Sequence, residues 1–344
     1  MKSIVLTGGG SAGHCMPHLA LYPYIKDSFD RFYYIGSKTG IERQIMTGKF
    51  DYFWVTTAKL KRSFTTDNLF ILPNVIKGIA EAQKILKKLQ PQIVFSKGGY
   101  VCVPVVIAAH KLKIPVISHE SDYTLGLANK LIAKKCDYVL TSFENAGKNL
   151  KNNIFTGAPI REFNIDREKA LRYFGFLGNK PILLVIGGSG GSLAINNAIT
   201  DLLPDLLKKF DILHITGFGN ETVKKDGYFK TGFLDDVSLA YSCADVVIAR
   251  CGAGVCFELM SLKLPTLFIP LPKKASRGDQ ILNAKYFLQR GMCNVLYQEN
   301  LNKKYLLNQI LKTYNERNYY INNMKKYNFM CGNSQIADLI KKYA

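Results

Sequence analysis

Features that mark secreted and membrane-spanning proteins are missing from this sequence of 344 residues. Its longest apolar run, VCVPVVIAA at 101–109, is far shorter than the roughly 20 residues that a membrane-spanning helix needs. The N-terminus lacks the basic segment and apolar core of a secretory signal. None of the eight cysteines forms a CxxC pair, which favours reduced thiols over a zinc site. We therefore expect a cytoplasmic protein without a metal centre.

Acidic residues are also few. Asp and Glu total 26 against 46 Lys and Arg, so the formal net charge is +20. The positive charge is spread over both halves of the chain and forms no tail. Such a charge favours anionic partners, which include nucleic acid, phosphorylated small molecules and anionic membrane surfaces. The alternative is a lysine-rich composition that serves no partner.

Apolar strand patterns alternate with longer helical patterns along the whole chain, which is typical of parallel α/β sheets. We predict strands at 3–7, 31–36, 52–55, 92–96, 115–119, 138–142, 153–157, 181–187, 211–217, 228–232, 245–249, 266–270 and 294–298. Helical periods lie between them, for instance at 75–89 and 196–210.

The second half of this pattern restarts like the first. The strand at 182–186 runs into GGSGGS, as the strand at 3–7 runs into GGGSAG. The fold class is therefore α/β, with two tandem Rossmann-like, doubly wound domains. Proline and glycine break the pattern in GAPIRE at 157–162, which we take as the junction. The expected bounds are 1–158 for the N-terminal domain, 163–325 for the C-terminal domain and 326–344 for a polar C-terminal helix.

Three glycine-rich turns follow predicted strands, at 8–13, 98–99 and 187–191. Glycine lets a backbone approach phosphate closely, and the free N–H groups at a helix N-terminus bind the anion. Matching turns in two domains predict two phosphorylated ligands that meet in a cleft.

The first turn, Gly8-x-Gly10-x-x-Gly13, also matches the dinucleotide-binding fingerprint. That hypothesis needs an acidic side chain at the end of the second strand to hold the ribose. The second strand ends in Gly36, followed by Ser37 and Lys38. The missing carboxylate weakens the NAD hypothesis and leaves it as an alternative.

The stretch RCGAGVCFE at 250–258 forms another strand-to-helix glycine turn. Glu258, in the helix that follows, can accept hydrogen bonds from two ribose hydroxyls. Gln280 and Asn283 are three residues apart on one helix face, and their amides suit sugar hydroxyls. The alternative for Glu258 is a solvated helical glutamate.

The chain resembles the MurG family of peptidoglycan glycosyltransferases over nearly its whole length. The resemblance rests on LTGGGSAGH (6–14), SKGGYVCVP (96–104), SHESDYTLGLANK (118–130), TGAPIR (156–161), GGSGGS (187–192), GFLDDVSLAYSCADVVIARCGAG (232–254) and SRGDQILNA (276–284). It implies a GT-B fold without a cofactor, in which the N-terminal domain receives lipid I and the C-terminal domain binds UDP-N-acetylglucosamine. The linkage would be inverted, and the C-terminal helix would pack on the N-terminal domain.

The resemblance also implies site residues. Those implied to bind the donor are Ser11, Gly13, Asp122, Arg161, Ser189, Leu234, Gly252, Ala253, Glu258, Gln280 and Asn283. Those implied to meet the acceptor diphosphate are Gly9, Gly10, Gly98, Gly99 and Tyr100. His14 is the first candidate for the catalytic base, and imidazole suits that role near neutral pH. Glu120 is the second candidate, with a structural carboxylate beside His119 as the alternative. Asp122 replaces the family's asparagine, and a carboxylate can only accept.

A polyprenyl-diphosphate acceptor requires contact with a membrane. The segment at 59–88 holds seven basic and two acidic residues. The residues predicted to contact an anionic inner leaflet are Leu60, Lys61, Arg62, Phe64 and Phe70. Val75, Ile79, Leu86 and Leu89 form a core-facing stripe instead. We expect a peripheral protein on the cytoplasmic face of the cell membrane, with other cell-wall synthesis proteins as partners and no nucleic acid.

Other functions on the same fold stay open at this point. One is a glycolipid transferase with another acceptor, and another is a UDP-N-acetylglucosamine epimerase. The more distant alternative is an NAD-binding Rossmann protein.

Overall fold

The computed structural model describes residues 1–58, 71–188, 190–275, 277–327 and 331–344. The chain forms two compact units, Met1–Arg161 with Cys331–Ala344, and Glu162–Met330. The change from one unit to the other falls inside the predicted junction at 157–162. Each unit contains one seven-stranded sheet, which confirms the α/β class with two Rossmann-like sheets.

The sheet of the first unit is parallel throughout, in the order β3-β2-β1-β4-β5-β6-β7. Its strands are β1 Ser3–Thr7, β2 Arg31–Gly36, β3 Asp51–Trp54, β4 Ile93–Ser96, β5 Val116–Glu120, β6 Tyr138–Thr141 and β7 Asn153–Phe155. Its helices are α1 Met16–Ile25, α2 Ile41–Met46, α3 Ile71–Leu89, α4 Cys102–Lys111 and α5 Leu127–Ile132. The strand order reverses between β1 and β4, which is where open α/β sheets bind ligands.

The second sheet has the order β10-β11-β9-β8-β12-β13-β14, and its only antiparallel pair among the described strands is β10 with β11. Its strands are β8 Ile182–Ile186, β9 Asp211–Ile215, β10 Val223–Lys225, β11 Tyr228–Thr231, β12 Val246–Ala249, β13 Thr266–Phe268 and β14 Asn294–Val295. Its helices are α6 Arg167–Phe174, α7 Leu193–Leu206, α8 Ser238–Cys243, α9 Ala253–Ser261, α10 Asp279–Gln289, α11 Lys303–Asn315 and α12 Arg317–Met324. The order reverses between β8 and β12.

The last helix, α13 Asn333–Lys341, belongs to the first unit. Ile336 and Ile340 are fully buried in the core of that unit. The Asn333 side chain bonds both backbone groups of Ile160, at 3.0 Å to N and 2.7 Å to O. The predicted helix from 326 is therefore corrected to a start at Asn333. The chain just before this start is held by pairing instead, since Cys331 forms a β-bridge with Ala158 and the Gly332 N–H donates to the Ala158 carbonyl at 2.8 Å.

Every predicted strand overlaps an observed one, and the main differences are one missed strand and one shifted helix. The strand β10 was missed because its sequence is polar and it pairs only at the sheet edge. The helix predicted at 196–210 is α7, which begins at Leu193 because the Ser192 side chain caps the Ile195 N–H. Ile79, Leu86 and Leu89 of α3 pack on the core as predicted.

Candidate active site

The two glycine turns of the first unit pack directly on each other at the carboxyl ends of β1 and β4. Gly99 has a φ of +82°, and a Cβ there would lie 2.2 Å from the Gly9 carbonyl oxygen. Tyr100 packs over the other turn, since a Cβ on Gly10 would lie 2.7 Å from its ring. The structure thus brings together the five residues predicted for the acceptor diphosphate. Gly9 and Gly98 are buried, whereas Gly10 is exposed and Gly99 and Tyr100 are partly exposed.

His14 ends a short 3-10 turn that follows the first glycine run, and its ring is partly exposed. Its Nδ1 lies 2.9 Å from the Lys97 carbonyl oxygen. A carbonyl only accepts, so Nδ1 carries the proton and the lone pair of the neutral ring is on Nε2. Ser11 and Gly13 are exposed on the same turn.

Glu42 is a residue of this site that sequence reasoning missed. Its side chain is fully buried, and its Oε2 accepts the Gly10 N–H at 3.1 Å. Its Oε1 accepts the Ser37 N–H at 3.1 Å and bonds the Ser37 hydroxyl. The sequence has no carboxylate directly after β2, but the fold brings one to that place from α2, in the side chain of Glu42. The bond from the Gly10 amide to Glu42 holds the first glycine turn in place.

Glu120, at the end of β5, holds the loop that follows it. Its Oε1 accepts the Asp122 N–H at 3.0 Å, and its Oε2 accepts the Gly126 N–H at 2.7 Å and the Asn129 amide at 2.8 Å. The side chain is only 4% exposed. These contacts match the structural alternative for Glu120, so we assign no base role to it.

Lys97 was also missed as a site residue. Its side chain is 1% exposed, and its Nζ lies 2.6 Å from His119 Nδ1 and 2.7 Å from Ser121 Oγ. His119 Nε2 in turn lies 3.1 Å from the Gly157 carbonyl oxygen. No single motif indicates this group, because its members come from the ends of β4 and β5 and from the segment after β7.

The second unit has a cavity of about 420 Å³ at the switch point of its sheet. Its lining includes Gly187, Gly188, Gly191 and Ser192 of the glycine turn, Arg250 and Gly252 after β12, Gln280 of α10, and Gln298. The N-terminus of α7 borders this cavity, and its free N–H groups and dipole favour an anion there.

Arg250 forms one wall of the cavity, although the sequence analysis gave it no role. Its guanidinium donates to the carbonyls of Ile269 at 3.0 Å and Pro270 at 3.3 Å. It also donates to Ser192 Oγ at 2.7 Å and Gln298 Oε1 at 2.6 Å. None of these partners is a carboxylate, so the positive charge of this half-buried side chain is not neutralised by them. Such a wall suits a diphosphate.

The other predicted donor residues separate into two groups. Gly252 and Gln280 line the cavity, and Gln280 Oε1 accepts the Leu271 N–H at 2.9 Å. Asn283 is fully buried and supports the turn from below, with its amide 3.2 Å from the Cys251 carbonyl oxygen. Sequence spacing placed Gln280 and Asn283 on one face, but only Gln280 lines the cavity.

Glu258 of α9 is partly exposed, and its Oε2 accepts the Tyr241 hydroxyl at 3.0 Å. Ala253 is buried as the first residue of α9. Leu234 is partly exposed in the loop after β11, and Arg161 is partly exposed at the end of the first unit's N-terminal segment. Ser189 lies outside the described residues.

The predicted membrane residues Leu60, Lys61, Arg62, Phe64 and Phe70 also lie outside the described residues. No helix in the described part of the chain is long and apolar enough to cross a membrane. Within that same part, no group of three or more His, Cys, Asp or Glu side chains could hold a metal ion.

Solved structures show the class of fold. The chain superposes on MurG of Acinetobacter baumannii with a TM-score of 0.77 at 22% identity, over 99% of this chain and 100% of that one. It superposes on the calicheamicin glycosyltransferase CalG4 with a TM-score of 0.70 at 11% identity, over 100% and 98% of the two chains. The fold is therefore GT-B, as predicted.

The chain belongs to glycosyltransferase family 28. The family's N-terminal domain model matches residues 4–141, and its C-terminal domain model matches residues 182–343. The chain is 46% identical to a protein of Clostridium tetani over 99% of this chain and 98% of the relative. It is 44% identical to one of Clostridium kluyveri over the full length of both. Both relatives are named UDP-N-acetylglucosamine--N-acetylmuramyl-(pentapeptide) pyrophosphoryl-undecaprenol N-acetylglucosamine transferase. The predicted family resemblance is thus confirmed.

Proposed function

We propose that this enzyme transfers N-acetylglucosamine from UDP-N-acetylglucosamine to lipid I, the undecaprenyl-diphospho-N-acetylmuramyl-pentapeptide, and so makes lipid II for peptidoglycan. The observation that carries the proposal is the 46% identity, over nearly the whole chain, to a relative of that named activity. One anion-suited surface in each unit supports it, since both substrates carry a diphosphate.

The donor half of the reaction belongs to the cavity of the second unit. The UDP diphosphate would lie at the N-terminus of α7 beside Arg250, where negative charge is stabilised as the sugar leaves. Glu258 would hold the ribose hydroxyls, with the Tyr241 hydroxyl fixing its Oε2. Gln280 would contact the sugar. The family resemblance adds Leu234, Ser189 and Arg161 to this set, the last two for the diphosphate.

The acceptor half belongs to the surface formed by the two glycine turns of the first unit. The incoming hydroxyl must lose a proton as it attacks the anomeric carbon from the face opposite UDP, which inverts the linkage. His14 is suited to take that proton, because its tautomer has the lone pair on Nε2. The family resemblance adds Ser11 and Gly13 of the same turn as donor contacts, and both are exposed.

The acceptor's polyprenyl chain requires the enzyme to work at a membrane. We place it as a peripheral protein on the cytoplasmic face, held by anionic lipid. The net charge of +20 and the basic, apolar segment from 59 support this location. Leu72 and Ile76 of α3, which lie within that segment, are 68% and 59% exposed.

One assay separates this function from the alternatives. Purified enzyme is incubated with labelled UDP-N-acetylglucosamine, with and without a short-chain lipid I analogue. Transfer of label to the analogue with release of UDP supports the proposal. Conversion of the donor to another UDP-sugar without acceptor would instead favour an epimerase. Turnover only with a different glycolipid would favour the other transferase.

A further inference from the structure

The Lys97 ammonium is a buried cation whose hydrogen bonds go to neutral groups. His119 Nε2 faces a carbonyl oxygen, so it carries the ring proton and Nδ1 accepts from Lys97. Ser121 Oγ accepts a second ammonium proton. No carboxylate bonds this ammonium among the described residues. Holding an ammonium out of water without a directly bonded carboxylate is costly, and the Glu120 and Asp122 charges offset that cost only in part, so a structural role alone is a poor account of Lys97.

The position of Lys97 connects it to both glycine turns. Its N–H donates to the Thr7 carbonyl at 2.8 Å, where β1 ends, and its own carbonyl accepts from His14. Its Cβ would lie 3.2 Å from a Cβ on Gly8, and Gly98 and Gly99 follow it in sequence. These contacts place the Lys97 backbone between the two turns, and its ammonium bonds His119 and Ser121 at the carboxyl end of β5, on the same edge of the sheet.

We propose that the Lys97 ammonium is the counter-charge for the acceptor's diphosphate and acts from behind the glycine turns as a positioning residue. The inference rests on the proposed function. An anion bound in front of the turns would compensate the buried positive charge, and the attraction is stronger than in water because the ammonium is almost fully buried. Lys97 would thus act on acceptor binding and leave donor binding unchanged.

The protonation of Lys97 makes the proposal testable by pH. Burial lowers the pKa of the ammonium to about 7, while the Glu120 and Asp122 carboxylates act in the opposite direction. Two other groups beside it stay neutral, because burial lowers the pKa of His18 to about 3 and that of His119 well below its usual value. The Lys97 variants keep His14. A pH dependence of the acceptor KM that is present in wild type and absent in a variant therefore comes from Lys97.

The experiment compares wild type with Lys97→Met, Lys97→Arg and the exposed control Lys111→Met of α4. Steady-state rates are measured from pH 6 to 8.5 with a soluble lipid I analogue and UDP-N-acetylglucosamine, beside a thermal melt of each protein. Lys97→Met should raise the acceptor KM roughly 10- to 100-fold, the scale of a lost charged interaction, with the donor KM and the control unchanged. The wild-type acceptor KM should rise above pH 7, and this rise should be absent in Lys97→Met.

Lys97→Arg keeps its charge at every pH tested, so its acceptor KM should lack the rise above pH 7. If Lys97→Met does not fold, the acceptor KM of Lys97→Arg tests the proposal by itself. The proposal is overturned if the rise persists in Lys97→Arg, if Lys97→Met has a normal acceptor KM, or if both substrates' KM values increase together. Failure of wild type to use lipid I would overturn the proposed function itself, which is a distinguishable result.

Discussion

The imidazole of His14 and the backbone carbonyl of Lys97 are hydrogen-bonded over 2.9 Å, which joins the turn after β1 to the turn after β4. This bond orients the ring and fixes its neutral tautomer. The partner is a backbone atom, so the orientation survives changes to the Lys97 side chain.

Replacement of His14 by alanine should remove the base and preserve donor binding. We expect kcat to fall by about 10²–10⁴, the usual contribution of a positioned base. Calorimetry with UDP-N-acetylglucosamine should give near wild-type affinity, because the donor cavity lies in the other unit. A folded mutant with normal kcat would show that His14 is not the catalytic base. A mutant that loses stability but keeps kcat in its folded fraction would make the ring a structural element.

Replacement of Glu258 by alanine should weaken donor binding. Loss of a hydrogen bond to a charged group costs about 1.5–3 kcal/mol, so the donor KM should rise roughly 10- to 150-fold. Tyr241→Phe is the matched control, since it removes the hydroxyl at 3.0 Å and leaves the carboxylate. Its effect should be smaller. An unchanged donor KM in Glu258→Ala would show that Glu258 does not bind the ribose.

His18 should make the first unit sensitive to acid. Its ring is buried between Tyr34 and Phe95, and burial lowers its pKa to about 3. Between this value and the unfolded pKa near 6.5, the unfolded chain binds the extra proton, so stability falls as pH falls. The slope is at most about 1.4 kcal/mol per pH unit.

Thermal melts of wild type and His18→Leu from pH 7 to 4 test this sign. The variant should be less stable at pH 7, since the replacement disturbs a packed site. The difference between the two midpoints should shrink as pH falls. A constant difference across the range would show that His18 does not carry this acid sensitivity.

Binding to anionic vesicles should depend on the basic segment. Each lysine or arginine near such a surface contributes about 1 kcal/mol, and salt screens it. Changing Lys59, Lys61 and Arg62 to glutamine should release the protein in a co-sedimentation assay. The matched control changes Lys224, Lys225 and Lys304, which are exposed in the second unit, to glutamine. This control protein should stay bound to the vesicles. Vesicle binding that is unchanged both by salt and by the replacement of Lys59, Lys61 and Arg62 would contradict the role of this segment as a membrane anchor.

The fold was predictable because buried parallel strands are apolar on both faces and end in glycine turns. The strand β1, for example, is buried at all five positions. Sequence patterns failed where distant contacts decide the structure, as at the polar edge strand β10 and at the start of α13, which follows the β-bridge between Cys331 and Ala158. The predicted glycine turns and His14 did come together in the first unit.

The missed site residues share one cause, which is that their partners are distant in sequence. Glu42 bonds an amide 32 residues away, Lys97 a histidine 22 residues away, and Arg250 a serine 58 residues away. No periodicity or local spacing encodes such pairs. A basic residue directly after a predicted strand, as at Lys97 and Arg250, is a signal in the sequence that could have marked two of these three residues.

The most direct test of the account is a single-turnover reaction of the purified protein with labelled UDP-N-acetylglucosamine and a soluble lipid I analogue. We predict one UDP released for each sugar transferred, and a β-linked N-acetylglucosamine on the analogue's N-acetylmuramyl sugar. UDP-N-acetylglucosamine left intact, or consumed without any label reaching the analogue, would contradict the account.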